Sequence, residues 1–146
     1  MLSPEERLEQ LEKVFEELVD LSADAPIIVE GIRDAGALSR LGIEKNVVTL
    51  NRGVSILTFC EQISRKSKKA IVLTDWDRRG GQLARMLKES LMANGVEVID
   101  SIRTQIVILS KKEVKDVESM PTFIERLRAR DASQRMRARI VRAKRI

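Results

Sequence analysis

Three acidic side chains that follow short apolar runs can together hold a divalent metal ion. Glu30 ends one such run, and Gly31 removes a side chain beside its carboxylate. Asp75 and Asp77 end another run. Because alternate residues of a strand point to one face, we expect Asp75 and Asp77 to share a side. Neighbouring carboxylates repel each other unless a cation lies between them, and Mg²⁺, with Mn²⁺ as a substitute, prefers such oxygen ligands.

The same acids also admit a purely structural interpretation. An Asp at a strand end is often a helix cap or a turn residue, so an isolated Asp-x-Asp is weak support for a metal site. The placement of Glu30 and the Asp75 pair at two strand ends favours the metal site, because ligands bind at the carboxyl ends of parallel strands. Asp34 lies about one helical turn after Glu30 and can face the same opening. Trp76, the single tryptophan, lies on the opposite strand face, where core packing is favoured over the alternative of stacking on a base.

Arginine side chains flank the acidic motifs and are candidate phosphate ligands. A guanidinium group matches the oxygens of a phosphate bidentately. The candidates near the acids are Arg33, Arg52, Arg78 and Arg79. Asn51 and Arg52 end the second apolar run and should face the same edge of the sheet. For each single arginine a surface ion pair is an equally good interpretation.

Charge is spread unevenly along the chain, which has a formal net charge of +5. Residues 1–24 carry two basic and eight acidic groups, whereas residues 121–146 carry nine basic and two acidic groups. The basic end suits a polyanion backbone, and docking on the acidic N-terminal helix is an alternative that does not exclude it. The candidate nucleic-acid-binding residues of this end are Arg135, Arg137, Arg139, Arg142, Lys144 and Arg145.

Hydrophobic periodicity predicts an α/β fold with a mostly parallel central sheet flanked by helices. The predicted strands cover residues 26–30, 46–50, 70–75 and 95–99. The predicted helices between them cover residues 33–41, 54–66 and 79–93, and a further apolar run covers 103–109. Ser3 and Pro4 open an amphipathic helix over 4–23, and a basic C-terminal helix follows Pro121. We therefore divide the chain into three parts. Residues 1–24 form a helix packed on the core, residues 25–120 form the main domain, and residues 121–146 form the basic helical extension.

Composition excludes several kinds of chemistry. The chain has no His and no Tyr, so neither a histidine base nor a phosphotyrosyl intermediate is available. Its one Cys cannot form an internal disulfide. The apolar runs are too short to cross a bilayer and the N-terminus is acidic, so we expect a cytoplasmic protein without a membrane partner.

Two segments resemble the signatures of the Toprim family. Residues 29–38 (Val-Glu-Gly-Ile-Arg-Asp-Ala-Gly-Ala-Leu) resemble the first signature, and residues 74–81 (Thr-Asp-Trp-Asp-Arg-Arg-Gly-Gly) resemble the second. The family includes bacterial-type primases, topoisomerases and the ribonuclease that matures 5S ribosomal RNA. The resemblance implies the Rossmann-like Toprim fold with Mg²⁺ held by the motif acids.

The resemblance also implies roles for individual acids. Glu30 would be the general acid/base or a metal ligand, Asp75 and Asp77 would be metal ligands, and Asp34 would be a supporting acid. Residues 115–118 resemble a later Lys-Asp segment, which makes Asp116 a second supporting acid.

A departure from the family pattern bears on activity. Many relatives with nuclease-like motifs have Lys after Glu-Gly, where this chain has Ile32, although Arg33 can supply the positive charge.

The resemblance implies Mg²⁺-dependent phosphodiester chemistry on nucleic acid, with RNA favoured over DNA and endonuclease-like processing of structured RNA as the preferred version. The alternatives are a non-catalytic module that binds RNA within a ribosomal or RNA-processing complex, a primase-like nucleotidyl transferase, and a nucleotide-binding regulator.

Overall fold

The computed structural model of the protein describes residues 1–50, 53–110 and 112–145. Helices and strands alternate through the middle of the chain, as the periodicity predicts. The elements in chain order are α1 (Pro4–Leu21), β1 (Ile27–Val29), α2 (Ile32–Arg40), β2 (Val47–Thr49), α3 (Ile56–Lys66), β3 (Lys69–Val72), α4 (Arg78–Ala93), β4 (Glu97–Ile99), α5 (Ser101–Ser110) and α6 (Met120–Lys144).

The four strands form one sheet in the order β2-β1-β3-β4, and every pairing is parallel. Ile27 lies opposite Val47 on one side and Ile71 on the other. From β1 the chain adds β2 on one side and then returns to add β3 on the other side. The order of the strands therefore reverses between β1 and β3, and such a switch point is where open parallel sheets bind ligands.

Helices cover both faces of this sheet, which explains why the central strand β1 is apolar and buried throughout. Ile27, Val29 and Ile71 belong to one buried cluster, together with residues of α1, α2, α5 and α6. Ile28 and Val72 belong to the other cluster, with residues of α3 and α4. Because both faces of the sheet are packed, the carboxyl ends of β1 and β3 keep fixed positions relative to each other.

The first helix begins where the sequence predicts. The Ser3 side chain accepts a hydrogen bond from the Glu6 backbone N–H, and Pro4 is the first helical residue. The buried face of α1, which includes Leu11 and Leu18, packs on α5 and α6. The apolar run at 103–109 lies within α5. No helix in the described ranges is long and apolar enough to cross a membrane.

The structure corrects the predicted end of the third strand. Residues 70–75 were expected to form it, but β3 ends at Val72. Asp75 and Asp77 therefore lie in the loop before α4, and strand alternation does not set the directions of their side chains. Hydrogen bonds to the neighbouring loops and to the start of α4 set them instead.

The last helix has two different halves. Its first half is buried against the core through Met120, Phe123, Ile124 and Leu127. Every residue from 132 to 145 is exposed. We call residues 132–145 the basic segment.

Candidate functional site

The two acidic motifs meet at the switch point of the sheet. Glu30 directly follows β1, and Asp75 lies three residues after the end of β3. The Glu30 Oε2 atom accepts a hydrogen bond from the Asp75 backbone N–H at 2.9 Å. This bond joins the loop after β3 to the end of β1, and the Glu30 carboxyl group lies close enough to the Asp75 side chain to raise its pKa.

The environment of Asp75 disfavours its negative charge. Burial raises the pKa of Asp75 from its usual 3.8 to about 7. The Val117 backbone N–H, 3.0 Å from Asp75 Oδ1, opposes this rise, whereas the neighbouring carboxyl groups of Glu30 and Asp34 add to it. A divalent cation at this position would relieve the repulsion, and the available donors are all oxygen atoms. The donor chemistry therefore fits Mg²⁺, which completes its shell with water and phosphate oxygens.

Asp34 lies beside this pair, in the first turn of α2. Its side chain is buried, and Oδ2 accepts a hydrogen bond from the Gly31 backbone N–H at 3.0 Å. Burial raises the pKa of Asp34, and the negative charges of Glu30, Glu118 and Asp116 add to the rise. The expectation that Asp34 faces the same opening as Glu30 is confirmed, because both residues line one cleft.

Asp77 is placed differently from the other motif acids. It is the N-cap of α4, where Oδ1 accepts a hydrogen bond from the Gly80 backbone N–H at 2.7 Å. Its side chain is exposed and does not line the cleft. Within the described residues, no three acidic or other ligand side chains are arranged to share a metal ion. The structure thus joins Glu30 to Asp75 and gives Asp77 the capping role that an Asp-x-Asp motif also allows.

Gly80 permits the close approach of α4 to the loop that carries Asp75. A Cβ atom on Gly80 would overlap the backbone carbonyl group of Asp75. The Thr74 Oγ1 atom also donates a hydrogen bond to the Gly80 carbonyl oxygen at 2.9 Å. A glycine is therefore needed at this position because the two backbones touch.

Arg103 is a part of the site that the sequence analysis missed. Its Nε atom donates to the Thr74 carbonyl oxygen at 3.0 Å, and Nη2 donates to the Asp75 carbonyl oxygen at 2.8 Å. Burial lowers the pKa of this guanidinium group, and the acids Asp75 and Glu30 oppose the change. A single arginine beside the apolar residues of this segment was the available signal, because a half-buried arginine must find acceptors.

The segment that precedes α6 holds the other side of the Asp75 loop. The Trp76 backbone N–H donates to the Lys115 carbonyl oxygen at 2.9 Å, and the indole N–H donates to the Val114 carbonyl oxygen. Trp76 is partly buried against the core, so its predicted packing role is confirmed. Asp116 accepts a hydrogen bond from the Ser119 backbone N–H at 2.8 Å and so shapes the turn into α6.

The acids open into a cleft of about 530 Å³ that also contains arginine and aliphatic side chains. Its lining is Glu30, Gly31, Ile32, Arg33, Asp34, Leu50, Asp75, Arg79, Leu83 and Glu118. Arg33 lies 4.0 Å from Glu118 in a highly exposed ion pair, so its guanidinium group is accessible to a ligand. Arg78 is exposed but outside this lining, and Arg52, with Asn51, falls outside the described residues.

Part of the basic C-terminal end is docked on the acidic N-terminal helix, as one of the two interpretations expects. Arg128 lies 3.7 Å from Glu12, and Arg135 lies 3.0 Å from Glu5, so the helix is paired with acidic α1. Beyond Arg135 the basic segment makes no ion pair with any other described residue. The basic residues to which this applies are Arg137, Arg139, Arg142, Lys144 and Arg145.

The parallel sheet and the acids at its switch point define an α/β domain of the Toprim class, and the Toprim domain family model matches residues 25–118. The chain belongs to the Toprim domain family. This membership implies a metal-dependent function related to nucleic acid, since Toprim domains generally bind a divalent metal.

More specific likenesses are to proteins of archaea and a bacterium. The chain is 43% identical to a "UPF0292 protein" of Methanosarcina barkeri, over 84% of this chain and 85% of that one. It is 41% identical to a "UPF0292 protein" of Methanosarcina acetivorans, over 85% and 86% of the two chains. A solved structure described as a "putative protein from Aquifex aeolicus" superposes with a TM-score of 0.63 at 32% identity, covering 73% of this chain and 94% of that chain.

Proposed function

We propose that this chain holds Mg²⁺, with Mn²⁺ as a substitute, through Glu30 and Asp75 and acts on phosphodiester bonds of structured RNA. The observation that carries the proposal is the contact between these two acids at the switch point, where Glu30 Oε2 lies 2.9 Å from the Asp75 backbone nitrogen. Two carboxyl groups forced together in a partly buried site provide negative charge that a divalent cation would balance.

The other side chains of the cleft have roles that follow from their charges. A bound metal would polarise a phosphoryl oxygen and stabilise the leaving oxygen. Arg79 and Arg33 line the same cleft and are suited to bind phosphate oxygens bidentately. Asp34 keeps the first turn of α2 in place through its bond to Gly31 and adds negative charge beside the metal ligands. In the alternative assignment Glu30 is the general acid/base rather than a metal ligand, and its attachment to the rigid end of β1 suits either role.

The exposed basic segment supports a nucleic acid as the partner. Its arginine and lysine side chains extend from the body on a helix, and each phosphate that they contact would add to a salt-dependent affinity. Aromatic residues make up 3% of the chain, so recognition of RNA shape and backbone is favoured over reading of base sequence.

Cleavage assays on structured RNA test this proposal directly. We expect cleavage in Mg²⁺ that is lost in Asp75→Asn and Glu30→Gln. Glu89→Gln is a matched control, because Glu89 is an exposed acid of α4 that does not line the cleft. Cleavage that persists unchanged in both site variants would overturn the proposal.

A non-catalytic RNA-binding module is the second candidate, and Ile32 favours it. This side chain is 84% exposed at the cleft, in the position where nuclease-like relatives carry a lysine. Such a module would bind RNA in a salt-sensitive manner through the basic segment, within a ribosomal or RNA-processing complex, and would show no turnover with any divalent metal. Multiple turnover by the purified chain would exclude it.

A further inference from the structure

Three aliphatic side chains line the cleft together with the acids and arginines. They are Ile32 at the start of α2, Leu50 after β2 and Leu83 in α4. Ile32 is 84% exposed, and the other two are partly exposed. We call these three residues the aliphatic patch. Leu50 and Leu83 also pack against the buried cluster of α3 and α4, whereas Ile32 belongs to neither buried cluster of the described chain. An exposed apolar surface contributes nothing to the binding of metal or phosphate, so it indicates a ligand with an apolar portion.

We propose that the aliphatic patch binds the base of an unpaired nucleotide whose phosphate lies at the Glu30 and Asp75 site. This inference rests on the proposed function and adds the class of substrate to it. A nucleobase is neutral and has two apolar faces, whereas its sugar-phosphate is polar and charged. A cleft that combines aliphatic side chains with arginines and acids matches both parts of one nucleotide.

The chemistry of the aliphatic patch also predicts that it does not distinguish one base from another. Aliphatic side chains contact the face of any base and make no hydrogen bonds to its edges, so binding should be independent of base identity. In a duplex the base faces are stacked on each other and are not available. The occupant is therefore a nucleotide in a loop, at a single-stranded end or extruded from a helix.

The size of the cleft agrees with a single nucleotide. Its volume of about 530 Å³ falls within the range of small-molecule sites, which is about 300–1,000 Å³. Arg33 and Arg79 lie in the same lining and provide the positive charge that the phosphate requires. The substrate class that follows is RNA with an unpaired nucleotide at the reacting phosphate.

Calorimetric titration of the full chain with small ligands separates the base from the phosphate. The ligands are adenosine 5′-monophosphate, uridine 5′-monophosphate and ribose 5-phosphate, each in saturating Mg²⁺. We expect both nucleotides to bind about tenfold more tightly than ribose 5-phosphate. This is the gain in affinity expected when the base removes roughly 60 Å² of apolar surface from water.

Ile32→Ser and Leu83→Ser should remove most of that advantage while leaving the affinity for ribose 5-phosphate unchanged. Ile108→Ser is the matched control, because Ile108 is an isoleucine in α5 that is 74% exposed and does not line the cleft. Ile32 is so exposed that its substitution should not affect folding, and circular dichroism would verify this for each variant.

The outcomes distinguish this inference from the proposed function. Equal affinities for the nucleotides and ribose 5-phosphate, or a nucleotide advantage that survives in Ile32→Ser and Leu83→Ser, would overturn the aliphatic patch alone. Ribose 5-phosphate binding that is the same with and without Mg²⁺ and in Asp75→Asn would overturn the proposed function and the patch together.

Discussion

Replacement of Gly80 by alanine adds one methyl group at the point where α4 touches the loop that carries Asp75. The new Cβ atom would overlap the carbonyl group of Asp75. That carbonyl oxygen accepts a hydrogen bond from Arg103 at 2.8 Å, and the Asp75 N–H donates one to Glu30 at 2.9 Å. The loop is thus held on two sides and cannot move away from the methyl group without breaking these bonds.

The expected cost follows from the kind of atoms that collide. Overpacking of a well-packed site typically costs about 1–3 kcal/mol, and the upper end applies here because backbone rather than a flexible side chain must shift. Alanine regains at most about 1 kcal/mol of helix propensity at this position in the first turn of α4. We expect Gly80→Ala to lower the free energy of unfolding by about 2 kcal/mol and to weaken Mg²⁺ binding, because Asp75 is displaced from Glu30.

Urea unfolding followed by circular dichroism and Mg²⁺ titration by calorimetry measure the two effects. Gly81→Ala is the matched control, because the nearest atom to its added Cβ is Arg103 Nη2 at an ordinary 4.0 Å. Gly81→Ala should leave Mg²⁺ affinity unchanged and should not lower stability. Equal stability and equal Mg²⁺ affinity in the two variants would refute the close-approach argument.

Three further predictions concern Arg103, Asp75 and the basic segment. Arg103→Met should lower the free energy of unfolding by about 2 kcal/mol and weaken Mg²⁺ binding, since two loop carbonyls lose their donor. Arg103→Lys, which has a single donor group, should restore only part of the stability and part of the Mg²⁺ affinity in the same titrations. The folded-state pKa of Asp75 is raised from 3.8 to about 7, so the metal-free protein binds a proton more tightly when folded, and this contribution to stability is lost as pH rises from about 4 to 7. The free energy of unfolding measured across that range should fall by about 1–2 kcal/mol, discounted for the partial exposure of the group. The fall should be smaller in Asp75→Asn, where the raised pKa of Asp34 still contributes. Removal of residues 132–146 should weaken RNA binding and reduce the slope of log affinity against log salt by up to about 4, and an unchanged slope would show that the basic segment does not contact phosphate.

The sequence was sufficient to predict the α/β fold because the signals for it are local. Short apolar runs such as residues 27–29 are buried on both faces, and the cap formed by Ser3 depends on residues three positions apart. The convergence of Glu30 and Asp75 was also predictable, since carboxyl ends of parallel strands meet at one edge. Each of these inferences needs only the periodicity of the chain and the rules of sheet topology.

The direction of Asp77 and the role of Arg103 depend on contacts that the sequence does not display. The strand before Asp77 ends at Val72, earlier than its apolar run suggests, and Asp77 is the N-cap of α4. Arg103 reaches the Asp75 carbonyl across a separation of 28 residues, and Val117 reaches the Asp75 side chain across 42. Such contacts follow from how the helices pack, and no local spacing specifies them.

X-ray diffraction from crystals soaked in Mn²⁺, recorded at the manganese absorption edge, tests the central claim most directly. The proposal predicts an anomalous peak in contact with the carboxylates of Glu30 and Asp75, and its loss in Asp75→Asn crystals treated in the same way. The absence of a peak at these two carboxylates, or a peak that persists in Asp75→Asn, would contradict the proposal.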